Sequence, residues 1–383
     1  MKHNRVLIFS TDDHLYPAGG AEQAMGNITE RLPHIEFDLI CAKLRRGVKE
    51  CEHVKNVHIH RVGFGVPKID GIILALFGHL YARKLMRRHT YDLVWSIMAS
   101  YGAFSAVRVK RQSGLPFLLT LQEGDSFEYI YERVKYVRGS FNKIFATADG
   151  IQAISQYLLR WGREMGYRGK FGVVIPNGVS IGLFSQPIEE QKRNEIRSAF
   201  AFPEDSFVLI TSSRLERKNG VGDIIAALAK LPVNVCLVIC GSGSLEKILR
   251  TQVAALGLSR RVLFKGFVQP EALPALMKSS DAFIRPSLTE GLGNAFLEAM
   301  AARIPVIGTH AGGISDFLID GETGFVVEIE SPESIAHVVG RVMNLSHTER
   351  EALLNRSERC IHDRYDWDRI AKQMEDLCNQ LTT

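Results

Sequence analysis

The sequence predicts an α/β protein built of two doubly wound parallel sheets, in successive domains that face each other across a cleft. Three observations lead there. Short, β-rich apolar runs alternate with longer helical patterns from end to end. The runs are almost continuously hydrophobic, without strict alternation, as in strands buried on both faces. At 383 residues the chain has length for two or three domains. In the first half, RVLIFS (5–10), FDLICA (37–42), VHIHRV (57–62), DLVWSI (92–97), PFLLTL (116–121), GIQAIS (150–155) and GVVIP (172–176) read as strands. Helical stretches at 20–32, 72–88 and 156–165 separate them. The second half repeats the rhythm in FVLITSS (207–213), VNVCLVICG (233–241), RVLFKG (261–266), DAFIRPS (281–287), IPVIGT (304–309) and GFVVE (324–328). Only a crossover helix can return the chain to start a parallel neighbour, so this alternation implies helices on both sheet faces. In PNGVSIGLFSQP (176–187), Pro176, Asn177, Gly178 and Pro187 interrupt both patterns. The expected domains are therefore 1–180 and 181–365, both Rossmann-like, followed by a final helix in 366–383 that need not belong to the domain before it.

Composition narrows the class. With 46% hydrophobic and 23% charged residues, the chain is neither a disordered protein nor a small disulfide scaffold. The longest apolar run, GIILALFGHLY (71–81), is too short to span a bilayer, and MKHNRVLIFS enters a strand with no signal-peptide pattern. Six scattered cysteines include no C-x-x-C, and Cys236 and Cys240 read as buried thiols, so a cytoplasmic location is expected. Residues 1–180 hold 25 Lys/Arg against 16 Asp/Glu, a net +9, while residues 181–383 hold 22 against 26, a net −4. The basic residues accompany no nucleic-acid motif, so no nucleic-acid partner is expected. GIILALFGHLYARKLMRRH (71–89) joins apolar residues to Arg83, Lys84, Arg87 and Arg88. It fits either an ordinary crossover helix or one lying on an anionic membrane, which would place the protein at the inner face of the cytoplasmic membrane.

Ligands of open α/β sheets bind at the carboxyl ends of strands, and the chemistry-bearing residues cluster at such ends. The strongest group is TEGLGNAFLEAMAARIPVIGTHAGG (289–313). Glu290 follows a strand, Gly291 and Gly293 open a close approach, and Asn294 is placed to cap a helix. The N–H groups at that helix start suit a phosphate. Glu298, one turn in and surrounded by apolar residues, is placed to accept hydrogen bonds from sugar hydroxyls. A glycosidase-like carboxylate pair is the competing reading, which the spacing disfavours. In SSRLERKNG (212–220), Arg214 and Lys218 reach one place if the intervening residues turn helical, and there they would neutralise a diphosphate. TDDHLYPAGGAEQ (11–23) sets Gly19 and Gly20 before a helix, a second anion site, though without the full dinucleotide fingerprint. GSGSLE (241–246) is either a tight strand-to-helix turn or a ligand contact at Gly241. No metal is expected: Asp12 and Asp13 point apart on an extended segment, Asp366 and Asp368 suit a helix start, and His58 and His60 lack a third partner in sequence.

PAGGAEQ, IPNGV, SRLERKNG and above all EGLGNAFLEAMAARIPVIGT with AGG and GETGFVV resemble the family 4 retaining glycosyltransferases of the two-domain GT-B class. The resemblance covers nearly the whole chain. It implies transfer of a sugar from a nucleotide-diphosphate sugar to an acceptor hydroxyl, with retention and without a metal or other cofactor. Cell-surface polysaccharide or glycolipid synthesis is the expected setting, with a sugar or lipid-linked sugar as acceptor. Glu290 and the Gly291, Leu292, Gly293 and Asn294 backbone would contact the donor sugar and phosphate. Glu298 would bind the ribose, Arg214 and Lys218 the diphosphate, and Gly241 and Val268 would lie near the base. Gly19 and Gly20 would approach the donor phosphate or the acceptor, and the final helix would cross back to the first domain. Many relatives carry T-x-H where this chain reads TLQEGD, so Gln122 takes the place of a histidine and would hydrogen-bond the sugar, while Glu123 or Asp125 would orient an acceptor hydroxyl, and AGGISD has Asp316 where a glutamate is usual. A sugar-nucleotide epimerase and a non-catalytic sugar-nucleotide-binding protein are the alternatives.

Overall fold

The computed structural model describes residues 5–15 and 19–383. Pro17 and Ala18 of the PAGGAEQ motif lie outside these. The chain divides into two compact units: Met1–Asn177 with Trp367–Thr383, and Gly178–Asp366.

Unit 1 is built on eight strands: β1 (Arg5–Phe9), β2 (Glu36–Ala42), β3 (Cys51–Val54), β4 (Val57–Val62), β5 (Leu93–Ile97), β6 (Phe117–Leu121), β7 (Gly150–Ala153) and β8 (Phe171–Val174). Their order is β3-β4-β2-β1-β5-β6-β7-β8, and every pairing is parallel except that of β3 with β4. The order reverses between β1 and β5, which opens a crevice at their carboxyl ends. Strand β3 is absent from the sequence-based assignment because CEHV is short, edge-placed and half polar. The helices Phe127–Val134 and Arg138–Thr147 are also additional to it. They pack around Trp161, which is fully buried with Phe127 stacked on it at 4.8 Å and Phe145 edge-on at 5.1 Å.

The final helix, Trp367–Thr382, belongs to unit 1. It buries Trp367, Ile370, Ala371, Met374, Leu377 and Cys378 in the same core as Val6, Ile8, Met25, Ile28 and Trp95. Arg31 donates to Asp368 at 2.7 Å on its rim. Burial on this scale, not the rim ion pair, holds the helix in place.

Unit 2 carries six strands, all parallel: β9 (Phe207–Ser212), β10 (Val235–Cys240), β11 (Val262–Gly266), β12 (Ala282–Arg285), β13 (Val306–Gly308) and β14 (Phe325–Val326). Their order, β11-β10-β9-β12-β13-β14, reverses between β9 and β12. Leu209, Leu237, Ile239 and Ile284 fill the core with Ile224, Ile225 and Val339 from the covering helices. Cys236 and Cys240 are buried free thiols, as the apolar run implies.

Candidate active site

In unit 2 the sequence-selected residues line the carboxyl edge of one sheet. Val268 follows β11, Gly241 follows β10, Arg214 and Lys218 follow β9, and Glu290 to Glu298 follow β12. Backbone contacts tie these ends together. Gly241 donates to the Gly266 carbonyl at 2.7 Å, and Leu288 donates to the Lys218 carbonyl at 2.7 Å. Gly313 donates to the Glu290 carbonyl at 3.0 Å. Glycine is required at two crossings: a Cβ on Gly241 would meet the Ser213 oxygen at 1.8 Å, and one on Gly312 the Glu290 oxygen at 2.0 Å.

The intervening residues between Arg214 and Lys218 do not form the expected helix. Only Arg217–Asn219 make a 3-10 turn. The loop is closed instead by Asn219, a buried residue whose Nδ2 donates to the Arg214 carbonyl at 2.6 Å. Both cations still act on one neighbour. Glu216 is held below its ordinary range by hydrogen bonds from Ser244, with help from the charges of Arg214 and Lys218. The Arg214 side chain is exposed.

The helix Asn294–Ala301 starts one residue earlier than a cap at Asn294 requires. Gly293, at φ 100°, is the N-cap, Asn294 is the first helical residue, and no side chain caps the end. The Phe296 N–H turns back to the Gly293 carbonyl at 2.9 Å, and the N–H groups before it in the first turn are left to water or a ligand. Arg285, buried on β12, donates through Nη2 to Glu290 and lies 5.0 Å from the Phe296 ring centre. Glu290 is thus a neutralised, positioned carboxylate. Glu298 is different: it is largely buried, its carboxylate takes no hydrogen bond from the described residues, and burial pushes it up to about 7 against the pull of Arg285. Buried polar atoms without partners gather along this edge, namely Thr211 Oγ1, Ser213 Oγ, Arg285 Nε and Ser287 Oγ. Such a concentration marks a place where solvent or ligand completes the hydrogen bonding. A cavity of about 680 Å³ beside it takes in Gly243 and Ser244 but none of the Glu290–Glu298 residues.

Sequence reasoning passes over Arg285 and Asn219. Arg285 sits inside the strand pattern DAFIRPS, where the one signal was an arginine in an otherwise apolar strand.

In unit 1, Gly19 is the N-cap of the helix Gly20–Glu30, again with no side-chain cap. Nearby Glu22 is buried and its carboxyl is raised, first by burial. The Gln122–Asp125 segment follows β6. Gln122 Oε1 accepts from Asn177 at 3.0 Å, which leaves Nε2 as its remaining donor. Glu123 is buried, accepts from the Ala99 N–H at 2.8 Å through Oε1, and has no partner on Oε2. Burial raises it to about 7. Asp125 lies just before the helix Phe127–Val134, which Ser126 caps. Asp12 and Asp13 do point apart: Arg45 grips Asp12 at 2.9 and 3.0 Å, and Arg61 donates to Asp13 at 2.7 Å.

Two doubly wound units, each with glycine-rich helix starts at its strand ends, define the class: a GT-B glycosyltransferase fold. Solved structures agree. The Anabaena protein HepE, in complex with UDP and glucose, matches at a TM-score of 0.79 and 20% identity over 99% of this chain and 100% of its own. Residues 18–183 match the family model "Glycosyltransferase Family 4" and residues 192–360 match "Glycosyl transferases group 1". The chain belongs to this glycosyltransferase family. Among curated relatives, an uncharacterised glycosyltransferase of Methanocaldococcus jannaschii is 32% identical over 52% of each chain. A Mycobacterium tuberculosis enzyme, GDP-mannose-dependent alpha-(1-6)-phosphatidylinositol monomannoside mannosyltransferase, is 27% identical over 77% of each. The match spans about half the length of the curated relatives found first.

Proposed function

We propose that the protein transfers a sugar from a nucleotide-diphosphate sugar to an acceptor hydroxyl, with retention at the anomeric carbon and no metal at the reacting centre. The observation that carries this reading is the edge of unit 2. There the uncapped helix start at Gly293, the cations of Arg214 and Lys218, and the two unlike glutamates follow adjacent strands. The helix start and the cations suit a diphosphate, and Glu298 suits the paired hydroxyls of a ribose. Glu290, held by Arg285, and the Gly291–Asn294 backbone would orient the donor sugar. In the reaction the bond from the anomeric carbon to the phosphate oxygen breaks. Arg214, Lys218 and the helix dipole stabilise the departing charge. The acceptor oxygen bonds on the same face, and its proton passes to a donor phosphate oxygen. Gln122 and Asp125 would orient the acceptor, with Gly19 and Gly20 allowing close approach to donor phosphate or acceptor. HepE was solved with UDP, and the mannosyltransferase takes GDP-mannose by its name, so a nucleotide sugar is the donor class of choice.

The test is a melting-temperature screen against nucleotide sugars, followed by transfer assays in chelator. The right donor must raise the melting temperature by mass action. Lys218→Ala should keep the fold and lose transfer by about 10²–10³-fold. Unchanged turnover in Lys218→Ala removes the diphosphate role, and a chelator-sensitive rate removes metal independence.

For the acceptor we propose a membrane-borne glycolipid or lipid-linked sugar met at an anionic, cytoplasm-facing surface. None of the described helices is long and apolar enough to cross a membrane. Yet the helix Pro67–Met86 exposes Ile69, Ile72, Leu76 and Leu80, three or four residues apart on one face, each by about half. Arg83, Lys84, Arg87 and Arg88 are exposed beyond them. An apolar stripe running into cations fits the boundary of an anionic bilayer. Vesicles with acidic lipids should float the protein at low salt, and Ile72→Glu with Leu76→Glu should abolish flotation. Equal flotation by that double variant sinks the proposal.

A further inference from the structure

The expectation that His58 lacks a third partner holds only along the chain. Across strands it has two. Strand β3 runs antiparallel to β4 in a register that sets His53 opposite His58, and β4 runs parallel to β2, whose first residue is Glu36. His58 Nε2 lies 3.0 Å from Glu36 Oε2. The His53 and His58 rings stack with centroids 4.0 Å apart and planes within 3° of parallel. One ligating atom from each of Glu36, His53 and His58 lies within 4.8 Å of the other two. The next row of the same face is closed. His60 bonds Asp38 at 2.8 Å, and Asp38 also takes Arg5 at 2.6 Å and Tyr91 at 2.7 Å.

We propose that Glu36, His53 and His58 form a binding site for a divalent transition ion of the zinc type, stapling the edge strand β3 to β2 across β4. Two imidazoles and a carboxylate match the donor preference of zinc over magnesium or calcium. At metal–ligand lengths of about 2.1 Å, tetrahedral ligand atoms stand about 3.4 Å apart, so small side-chain rotations complete the set. A fourth position remains for water. The site is reachable, since the His58 and Glu36 side chains are 32% and 46% exposed. It also lies away from the chemistry proposed above. Glu36 and His58 stand at the amino ends of their strands, whereas Gln122 and Asp125 follow the carboxyl end of β6. The ion takes no part in sugar transfer and is compatible with transfer in chelator. What it supplies is a cross-link for a four-residue strand that otherwise depends on one neighbour.

The experiment titrates the metal-free full chain with zinc chloride against a chromophoric zinc chelator and follows the melting temperature alongside. One equivalent should bind and raise the melting temperature. His53→Ala and His58→Ala should each lose that equivalent, and Glu36→Gln should weaken it by about tenfold or more. Circular dichroism should stay unchanged in these variants of a surface cluster. X-ray absorption at the zinc edge of the unaltered chain should read two imidazoles with oxygen ligands, independently of any variant. The proposal is overturned if no zinc binds below about 100 μM. It is overturned equally if the His53→Ala/His58→Ala double variant binds unchanged, or if the absorption shows sulfur or oxygen ligands without imidazole.

Discussion

The end of β1 in unit 1 and the proposed donor edge of unit 2 treat their charges in opposite ways. In unit 1 the acids after β1 are spent on partners: Asp12 on Arg45, and Asp13 on Arg61, whose side chain is fully buried and also reaches Glu52. In unit 2 the equivalent edge holds charge in reserve. The Glu298 carboxylate takes no hydrogen bond from the described residues and Arg214 reaches into solvent, while Glu290 is neutralised from within by Arg285. Paired charge of the first kind supports the fold, whereas unspent charge costs stability and is kept where a ligand will meet it.

The sharpest way to break this comparison is to remove one cation from each edge. Arg61→Met leaves Asp13 buried without its partner and should cost about 3–5 kcal/mol in denaturant unfolding, with the fold of unit 2 untouched. Arg214→Ala should instead leave unfolding unchanged and slow transfer by about 10²-fold or more. If Arg214→Ala unfolds the protein and Arg61→Met does not, the contrast is wrong.

A smaller effect sits on pH. Burial raises Glu298 and Glu123 from the ordinary value of 4.5 to about 7. The folded state then keeps protons that the unfolded chain releases between those values, so stability is full below about 4.5 and falls as pH rises to about 7. For Glu123, the more buried of the two, the loss is at most about 3 kcal/mol, and Glu123→Gln should flatten that part of the stability curve. Glu298 adds a readout that Glu123 lacks. If its ionised form accepts the ribose hydroxyls, donor affinity by calorimetry should climb between about pH 6 and about pH 8, and Glu298→Gln should remove the climb. The smallest change is expected at the partly exposed pair Asp12–Arg45. Asp12→Asn there should cost less than about 1 kcal/mol.

The parallel sheets were legible in the sequence because buried strands and crossover helices each leave a local pattern. So was the run from Glu290 to Glu298, whose glycines and acids stand close together along the chain. What escaped was set by partners distant in sequence. Arg285 reads as a strand residue until β12 brings it beside Glu290. Asn219 gains its meaning from the Arg214 carbonyl, in a loop expected to be helical. The cap expected at Asn294 moved to Gly293 because only glycine tolerates the φ of 100° there. His53 meets His58 through a hairpin register that no composition reveals, since CEHV is four residues long and half polar.

The assignment of Trp367–Thr382 to unit 1 has a consequence for how the protein is made. Unit 1 encloses unit 2 in the order of synthesis: its first 177 residues leave the ribosome before unit 2, and its closing helix only after it. Until that helix arrives, the apolar surface destined for Trp367, Ile370, Met374 and Leu377 stays open. The nascent N-terminal sheet must therefore wait, with that surface uncovered, while 189 further residues are translated and free to fold. A stop codon just before Trp367 would spare every residue of the proposed donor edge and still leave the other unit without its last wall.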